Sequence, residues 1–347
     1  MLSELHLRGF RCFEQARLDL GPGATCLVGP NARGKTSLLE AACVLLRLQS
    51  PRASSLAQAI RFGGDSFLVE GKWAGAQCRY LYSKTRRQLH LDAVEQKRAN
   101  EYLALARVVW FGNDDLDLIR GGSDGRRRFL DFAIAQVRPA HRARLRTYEK
   151  ALRSRNLLLK NGAPRREIAA FDEGLVVAGE AVRTARRNFI EQLTPFARQF
   201  NEEIGGEGPV LELRYRDGSG DGDFATRLRV SQAEEERLRQ TVVGPHRDDL
   251  EILFASRAAL NFASEGQQRT AALALRLGEA KILGADQAGP PLFLIDDIFG
   301  ELDVARRNRL LALLPPGGQQ LITTTHLDWA HPFAAQIVEM EKWAGTP

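Results

Sequence analysis

The sequence predicts an α/β fold assembled from both ends of the chain, together with a helical second lobe. Near the N-terminus, an apolar strand ends in a glycine-rich loop and precedes a helix, all within 24–48. Near the C-terminus, a buried strand at 292–295 ends in two acidic residues. Between these elements, residues 126–204 are rich in Arg, Leu, Ala and Glu and almost free of β-branched runs, which is typical of helices. We therefore expect an α/β head at 1–120 and 205–347 and a helical lobe at 121–204.

Periodicity and chain breakers predict the elements of the first part in order. Alternating or continuous apolar runs predict strands at 2–7, 13–20 and 24–28, and the helix follows at 35–48. Period-two runs predict a small antiparallel sheet at 67–70, 78–82 and 89–91, with a further strand at 107–111.

In the middle and at the end of the chain the pattern changes twice. We expect two long helices across 126–204, joined by a turn at 161–164, where Asn-Gly-Ala-Pro interrupts them. The apolar residues keep no lasting heptad register, so a long coiled coil is not expected. Strands and helices then alternate, with strands predicted at 210–216, 250–255, 292–295 and 321–325 and helices at 225–239, 266–283 and 304–314.

Length and composition indicate an ordinary globular protein of roughly two domains. The 347 residues are 44% hydrophobic and 27% charged, which excludes disordered and collagen-like chains. No apolar run approaches the ~18 residues of a membrane span. The first apolar stretch carries Glu4, Arg8 and Arg11, unlike a secretory leader. We expect a cytoplasmic protein without membrane contact.

Positive charge is concentrated in the middle of the chain. The formal net charge is +6, and residues 120–200 hold 18 Lys and Arg against 8 Asp and Glu. This excess indicates a surface for a polyanion such as nucleic acid, although a solvated helical face would carry the same pattern. The cysteines lack the spacing of metal ligands, so we expect reduced thiols at Cys12, Cys26, Cys43 and Cys78.

A phosphate-binding loop is predicted between the strand at 24–28 and its helix. The pattern G-x-x-x-x-G-K-[ST] is matched by Gly29, Pro30, Asn31, Ala32, Arg33, Gly34, Lys35 and Thr36. Glycines allow the backbone N–H groups to face phosphate oxygens, and the helix adds its positive N-terminal end. Lys35 would neutralise the β- and γ-phosphates of ATP, and Thr36 would offer its hydroxyl to Mg²⁺.

Two acids end the strand at 292–295. We expect Asp296 to hold Mg²⁺ indirectly, through a group that coordinates the metal. We expect Asp297 to orient the water that attacks the γ-phosphate. An Asp-Asp pair after a strand is common in turns, so the prediction depends on the glycine-rich loop found in the same chain.

A third element, at 264–269, opens a helix with the sequence Ser-Glu-Gly-Gln-Gln-Arg. The hydroxyl of Ser264 and the N–H groups around Gly266 and Gln267 can bind a phosphate end-on. One chain does not need both this helix end and the loop, so we expect it to cover the γ-phosphate bound by a second copy. His326 ends the strand at 321–325 and could hydrogen-bond the γ-phosphate or the attacking water, although a lone His is commonly structural.

This order of motifs resembles an ABC-type ATPase head. The separation of 229 positions from Lys35 to Ser264 resembles that of the SMC branch, since the two motifs lie much closer in transporter subunits. Within that branch the sequence is similar to the RecF family along nearly the whole chain. The matching segments are 7–11 (LRGFR), 29–40, 126–131 (RRRFLD), 243–250 (VGPHRDDL), 264–269 and 296–303 (DDIFGELD).

The resemblance implies a two-lobed, weak, DNA-dependent ATPase. Such proteins bind ATP, dimerise around two nucleotides and hold DNA. The family acts in recombinational repair and replication restart: with RecR, and indirectly RecO, it promotes RecA loading at single-strand gaps next to duplex, and slow hydrolysis releases the DNA.

Two departures from related patterns bear on the site. The family has Phe-x-Pro-Glu-Asp-Leu where this chain has Phe-Gly-Asn-Asp-Asp-Leu at 111–116, so a metal or water contact of Asn113 is not assigned. Many ABC heads carry Glu where this chain has Asp297, and the shorter side chain predicts slow hydrolysis.

Three other functions remain open at this point. A transporter ATPase subunit would share the loop, but the basic middle and the long insertion count against it. A small-molecule kinase would explain the loop and Asp296, but neither Ser264 nor His326. A nucleotide switch that never hydrolyses ATP would differ only in the role of Asp297.

Overall fold

The structure is a computed structural model, which describes residues 1–53, 55–218, 220, 222–285, 289–315, 317–325 and 333–343. The chain divides into two compact units. The first comprises 1–113 and 279–347, and the second comprises 114–278.

The first unit contains two sheets and the helix that follows the glycine-rich loop. Its N-terminal part forms β1 (Leu2–Phe10), β2 (Phe13–Asp19), β3 (Ala24–Val28), α1 (Lys35–Arg47), β4 (Ser66–Trp73), β5 (Ala76–Ser83), β6 (Arg87–Leu91), β7 (Val94–Glu95), α2 (Asn100–Ala104) and β8 (Val108–Gly112). The second unit contains α3 (Asp117–Arg120), α4 (Ser123–Val137), α5 (Ala140–Lys160), α6 (Arg165–Ala169), α7 (Asp172–Gly205), β9 (Leu211–Arg216), α8 (Phe224–Val230), α9 (Gln232–Leu238), β10 (Asp249–Phe254), β11 (Arg257–Ala258) and α10 (Ala259–Phe262). The chain ends with α11 (Glu265–Gly284), β12 (Leu292–Asp296), α12 (Val304–Leu313), β13 (Gln320–Thr324) and β14 (Gln336–Glu339).

A parallel sheet forms the centre of the first unit. Its strand order is β14-β3-β13-β12-β8, and all four pairings are parallel. Strands β3, β8 and β13 are buried at every position, which matches their continuous apolar sequences. The glycine-rich loop and the two acids therefore leave the sheet at the same carboxyl edge, where α/β proteins bind ligands.

An antiparallel sheet, ordered β2-β1-β4-β5-β6-β7, forms the other layer of this unit. Its strands alternate buried and exposed residues, as β4 shows. Helix α1 contacts strands of both sheets, which explains why its residues 38–46 are buried on all faces. The glycine-rich loop is thus followed by a helix clamped between two layers.

The second unit is mainly helical. The sequence predicted two long helices, but the first of them is broken at Pro139, which caps α5 and has no N–H for a continuous helix. Helix α7 runs through Pro195 for 34 residues. Helices α5, α7 and α8 enclose an apolar cluster of Tyr148, Leu175, Ala178, Phe224, Leu228 and Val243.

Residues 205–278, which the sequence analysis placed in the head, belong to this second compact unit. The reason is local: β10 pairs with β9, β9 packs on α7, and α4 packs on β10. The boundaries of the functional lobes stay a prediction.

Three arginines of the basic middle are buried in ion pairs within the second unit. Arg183 forms a two-bond pair with Asp248, and both side chains are almost fully buried. Arg186 pairs with Asp131 in the same way, and Arg155 with Glu235. The local excess of positive charge is therefore partly a structural network. None of the described helices combines the length and the hydropathy that a membrane-spanning segment requires.

Candidate nucleotide-binding site

The glycine-rich loop joins β3 to α1 through backbone conformations that favour glycine. Gly29, Ala32 and Gly34 have φ angles of 155°, 65° and 82°. A Cβ atom at Gly34 would lie 2.3 Å from Cζ of Phe13 and 2.9 Å from Sγ of Cys12. Both the positive φ and the close approach therefore require glycine at position 34.

Lys35 is buried at the base of this loop, with 6% of its surface exposed. Its Nζ donates hydrogen bonds to the carbonyl oxygens of Gly29 at 2.5 Å and Pro30 at 2.9 Å. Burial lowers the pKa of Lys35, and the negative charges of Asp297 and Asp296 oppose this effect. A bound anion would favour the charged form of this lysine, as the carboxylates already do.

Thr36 and Asp296 are joined directly, although they are 260 residues apart. Oγ1 of Thr36 donates to Oδ1 of Asp296 at 2.7 Å, and Oγ1 of Thr323 donates to the same oxygen at 2.8 Å. The parallel register that pairs Asp296 with Thr323 produces the second contact. Thr323 is the residue of this site that the sequence analysis missed, because only the strand register places it beside Asp296.

Asp297 lies immediately beyond β12 with a φ of 53°, in the left-handed region. Asp and Asn occupy this region more readily than most other residues. Its charge acts on Lys35, which places the carboxylate in the electrostatic neighbourhood of the loop. Asn113, at the end of the neighbouring strand β8, is exposed, and no role is assigned to it.

Ser264 caps the N-terminus of α11 in the second unit. Its backbone N–H donates to Oε1 of Gln267 at 2.8 Å, and its Oγ accepts the N–H of Gln267 at 3.3 Å. This reciprocal pair is a capping box. Gln268 holds the preceding turn by donating to the carbonyls of Ala259, Leu260 and Ala263.

These observations bring together part of the predicted site. Lys35, Thr36 and Asp296 meet at the carboxyl edge of the parallel sheet, with Asp297 adjacent. Ser264, Gly266 and Gln267 belong to the other compact unit. His326 lies outside the described residues.

The residues at this edge fit a magnesium-bound nucleotide. The first N–H groups of α1 have no partner within the helix. A threonine hydroxyl is a hard oxygen ligand that suits Mg²⁺, and the carboxylate of Asp296 orients that hydroxyl. Within the described residues, no three His, Cys, Asp or Glu side chains form a metal cluster. Mg²⁺ at such sites relies on phosphate oxygens and water, so an all-protein cluster is not required.

Comparisons with known proteins identify relatives of the whole chain. A family model described as an AAA domain matches residues 4–154. DNA replication and repair proteins RecF from Synechococcus sp. (strain JA-2-3B'a(2-13)) and Symbiobacterium thermophilum are each 35% identical, covering 98% and 94% of this chain and 96% and 92% of their own. The RecF of Anaeromyxobacter sp. (strain Fw109-5) is 37% identical, over 99% of this chain and 97% of its own.

Solved structures agree with these relatives. The recombination mediator protein RecF with ATP, from the RecFOR pathway, superposes with a TM-score of 0.85 at 30% identity and covers 94% of this chain and 92% of its own. An SMC head bound to the C-terminal winged-helix domain of ScpA has a TM-score of 0.56 at 16% identity over 97% of this chain and 93% of its own, which shows a shared fold. The fold is that of an ABC-type ATPase head, as predicted, and the chain belongs to the RecF family of DNA replication and repair proteins.

Proposed function

We propose that this protein is an ATP-controlled DNA clamp in recombinational repair and replication restart. The observation that carries the proposal is the contact of Thr36 with Asp296, beside the buried Lys35, in a chain of the RecF family. RecF has been solved with ATP, and the same loop in this chain provides a site for the nucleotide.

ATP binds through the loop 29–36, with Lys35 facing the β- and γ-phosphates. The hydroxyl of Thr36 would hold Mg²⁺, and Asp296 would orient that hydroxyl through the 2.7 Å hydrogen bond between them. Asp297 orients the attacking water, and His326 contacts the γ-phosphate or the same water. Hydrolysis is slow, because the carboxylate of Asp297 is one methylene shorter than that of a glutamate.

Two copies pair around two nucleotides. Ser264, with Gly266 and Gln267, covers the γ-phosphate held by the partner. The capping box does not prevent this contact, because a hydroxyl that accepts one N–H keeps its own proton as a donor. The exposed end of α11 also adds a positive dipole toward the phosphate.

Backbone phosphates of DNA meet exposed cations of the basic middle. Buried and paired arginines, such as Arg155 and Arg183, are unavailable for this contact. Helix α5 instead presents Arg146 and Lys150 at helical spacing on its exposed surface. DNA affinity is therefore expected to fall steeply with salt.

The clamp acts at single-strand gaps next to duplex, in the cytoplasm and associated with the nucleoid. The partners are RecR, and indirectly RecO and RecA, whose loading it promotes. The RecFOR pathway is the setting of the solved RecF relatives, and this supports the assignment.

Retention of gapped DNA tests the clamp. DNA should be held with Mg-ATP or a slowly hydrolysed analogue, and released when ATP is exchanged for ADP. Lys35→Ala should give weak retention with every nucleotide. Equal retention of DNA with ATP and ADP would contradict ATP control.

A further inference from the structure

Three turns of the first unit meet at one end of its antiparallel sheet. The β1–β2 turn follows Phe10, whose bridge to Ile60 brings in the chain that precedes β4. The N–H of Arg61 donates to the carbonyl of Gly9 at 2.9 Å. Ser66, which begins β4, pairs with Ser83 at the end of β5. The turns at 11–12, 61–65 and 84–86 are therefore neighbours.

A fully exposed aromatic ring lies on the middle turn. Phe62 has a relative exposure of 101%, the largest among the exposed hydrophobic side chains of the described residues. Its turn is closed by a 2.9 Å hydrogen bond from the N–H of Gly64 to the carbonyl of Arg61. Gly63 follows with a φ of 81°, and nothing lies within 4 Å of where its Cβ would be. Both faces of the Phe62 ring are therefore open to solvent, and the next two residues are glycines, which have no side chain to cover it.

Cations lie at the same end of the sheet as this ring. Arg8, near the end of β1, and Lys84 and Arg86, between β5 and β6, are exposed, whereas Arg61 is paired with Glu14 at 3.6 Å. Two hydrogen bonds close the turn at 83–86. The N–H of Ser83 donates to the carbonyl of Arg86 at 2.8 Å, and the N–H of Arg86 donates to Oγ of Ser83 at 2.9 Å. The side chains of Lys84 and Arg86 are therefore presented from a fixed backbone.

The same end of the sheet is attached to α1, the helix that follows the glycine-rich loop. Arg11 donates to both carboxylate oxygens of Glu40 in α1, at 2.8 and 2.6 Å, and to the carbonyl of Gln58 at 2.7 Å. Glu40 is completely buried. Cys12 and Phe13 bound the space beside Gly34 of the loop. The β1–β2 turn is thus joined by hydrogen bonds to the helix that follows the glycine-rich loop.

We propose that this turn surface, formed by Arg8, Phe62, Lys84 and Arg86, binds DNA that carries an unpaired base next to duplex. The cations hold backbone phosphates, and the ring of Phe62 stacks on the unpaired base. An acidic protein segment would also satisfy the cations, but an isolated open ring without an apolar groove suits the flat face of a base. The proposal rests on the proposed function and adds an interaction that discriminates gapped DNA from continuous duplex.

Binding of Mg-ATP-loaded protein to gapped and to blunt duplex DNA tests the proposal. Phe62→Ala should weaken binding to gapped DNA about tenfold and leave binding to blunt duplex unchanged, since stacking requires an unpaired base. Phe62→Trp should restore the preference. The double variant Lys84→Ala with Arg86→Ala should weaken binding to both DNAs. The slope of log affinity against log salt concentration should also become shallower, by about 0.9 for each DNA phosphate that the protein no longer neutralises. Val94→Ala, an exposed apolar residue on β7, and Lys72→Ala, at the other end of β4, serve as controls.

Each other outcome has a defined meaning. If the wild type binds gapped DNA and both surface variants bind it equally well, the turn surface serves an acidic protein partner and this proposal is overturned, while the clamp stands. If Phe62→Ala abolishes ATP-driven pairing instead, the ring contacts the second copy and the proposal is likewise overturned. If the wild type binds no DNA with Mg-ATP, the proposed function itself fails.

Discussion

Oγ1 of Thr36 lies 2.7 Å from Oδ1 of Asp296, so the first turn of α1 is tied to the carboxyl end of β12 across 260 residues of sequence. The hydrogen bond joins the two ends of the chain at one edge of a parallel sheet. Thr323, from the strand between β12 and β3, donates to the same oxygen at 2.8 Å. A carboxylate held by two hydroxyl donors is fixed in orientation before any ligand arrives, and this preorganisation underlies the proposed magnesium site.

Removing the ammonium of Lys35 should sharply reduce ATP affinity. A hydrogen bond to a charged group contributes about 1.5–3 kcal/mol, so Lys35→Ala should lower the affinity for ATP by roughly 10- to 150-fold. Titration calorimetry with Mg-ATP measures the change. Lys72→Ala, on the exposed part of β4, should bind ATP as the wild type does. An unchanged affinity in Lys35→Ala would place the phosphates elsewhere.

Asp297→Asn should separate hydrolysis from binding. Asn tolerates the observed φ of 53° and keeps the side-chain size, but it lacks the charge needed to orient or activate water. We expect turnover to fall by about 100-fold or more with ATP affinity retained. Asp297→Val should instead lose stability by about 1–3 kcal/mol, because a β-branched residue is strained there. An unchanged ATP lifetime in Asp297→Asn would favour a switch that does not hydrolyse ATP.

The two acidic residues of the segment 247–249 have a structural role in the second unit. Asp248 is fully buried, accepts two hydrogen bonds from Arg183 at 3.0 Å and accepts the hydroxyl of Tyr215. Asp249 accepts two hydrogen bonds from Arg126, at 2.7 and 2.9 Å. Asp248→Ala would leave a buried guanidinium partly uncompensated and should destabilise the protein by about 3 kcal/mol.

Arg247→Ala provides the matched control, since Arg247 is exposed. Its unfolding free energy should change by less than about 0.5 kcal/mol. Denaturant unfolding compares the two variants. Equal stability in Asp248→Ala and Arg247→Ala would show that the buried network contributes little to stability.

His246 should make the second unit less stable at mildly acidic pH. Its Nε2 donates to the carbonyl of Thr241 at 3.0 Å, and in the neutral ring its Nδ1 accepts the hydroxyl of Tyr148 at 2.6 Å. Burial lowers the pKa of His246 from 6.5 to about 4. Between these values the unfolded chain binds more protons than the folded one, so stability falls as the pH is lowered from about 6.5 to about 4.

The size of this effect is up to about 3 kcal/mol, given 1.36 kcal/mol for each pKa unit. Unfolding free energies measured across this range should decline in the wild type and decline less in His246→Gln. Parallel curves for the two proteins would show that another group causes the decline.

Motif chemistry predicted more of this protein than periodicity did. The loop 29–36 was predicted from its own pattern, whereas the acids after β12 were predicted only in combination with that loop. Family membership excludes the transporter and small-molecule kinase alternatives. The contact of Asp296 with Thr323 was not predictable, since it depends on which strands become neighbours.

The charge count was less informative, because it does not distinguish an exposed arginine from one such as Arg155, which is buried against Glu235. The sequence predicted where the helices lie but not where they are interrupted. One predicted helix is divided at Pro139, and another is divided at Ser231, between α8 and α9.

Molar mass by light scattering, with and without Mg-ATP on DNA-free protein, tests the central claim that ATP bridges two copies. Wild type should change from monomer to dimer only with Mg-ATP. Ser264→Asp should bind ATP yet stay monomeric, because Asp caps a helix as well as Ser but repels the partner's γ-phosphate. Ser264→Thr, which keeps a capping hydroxyl, should still pair. A wild type that remains monomeric at micromolar concentration while saturated with ATP, or a Ser264→Asp variant that pairs normally, would contradict the composite site.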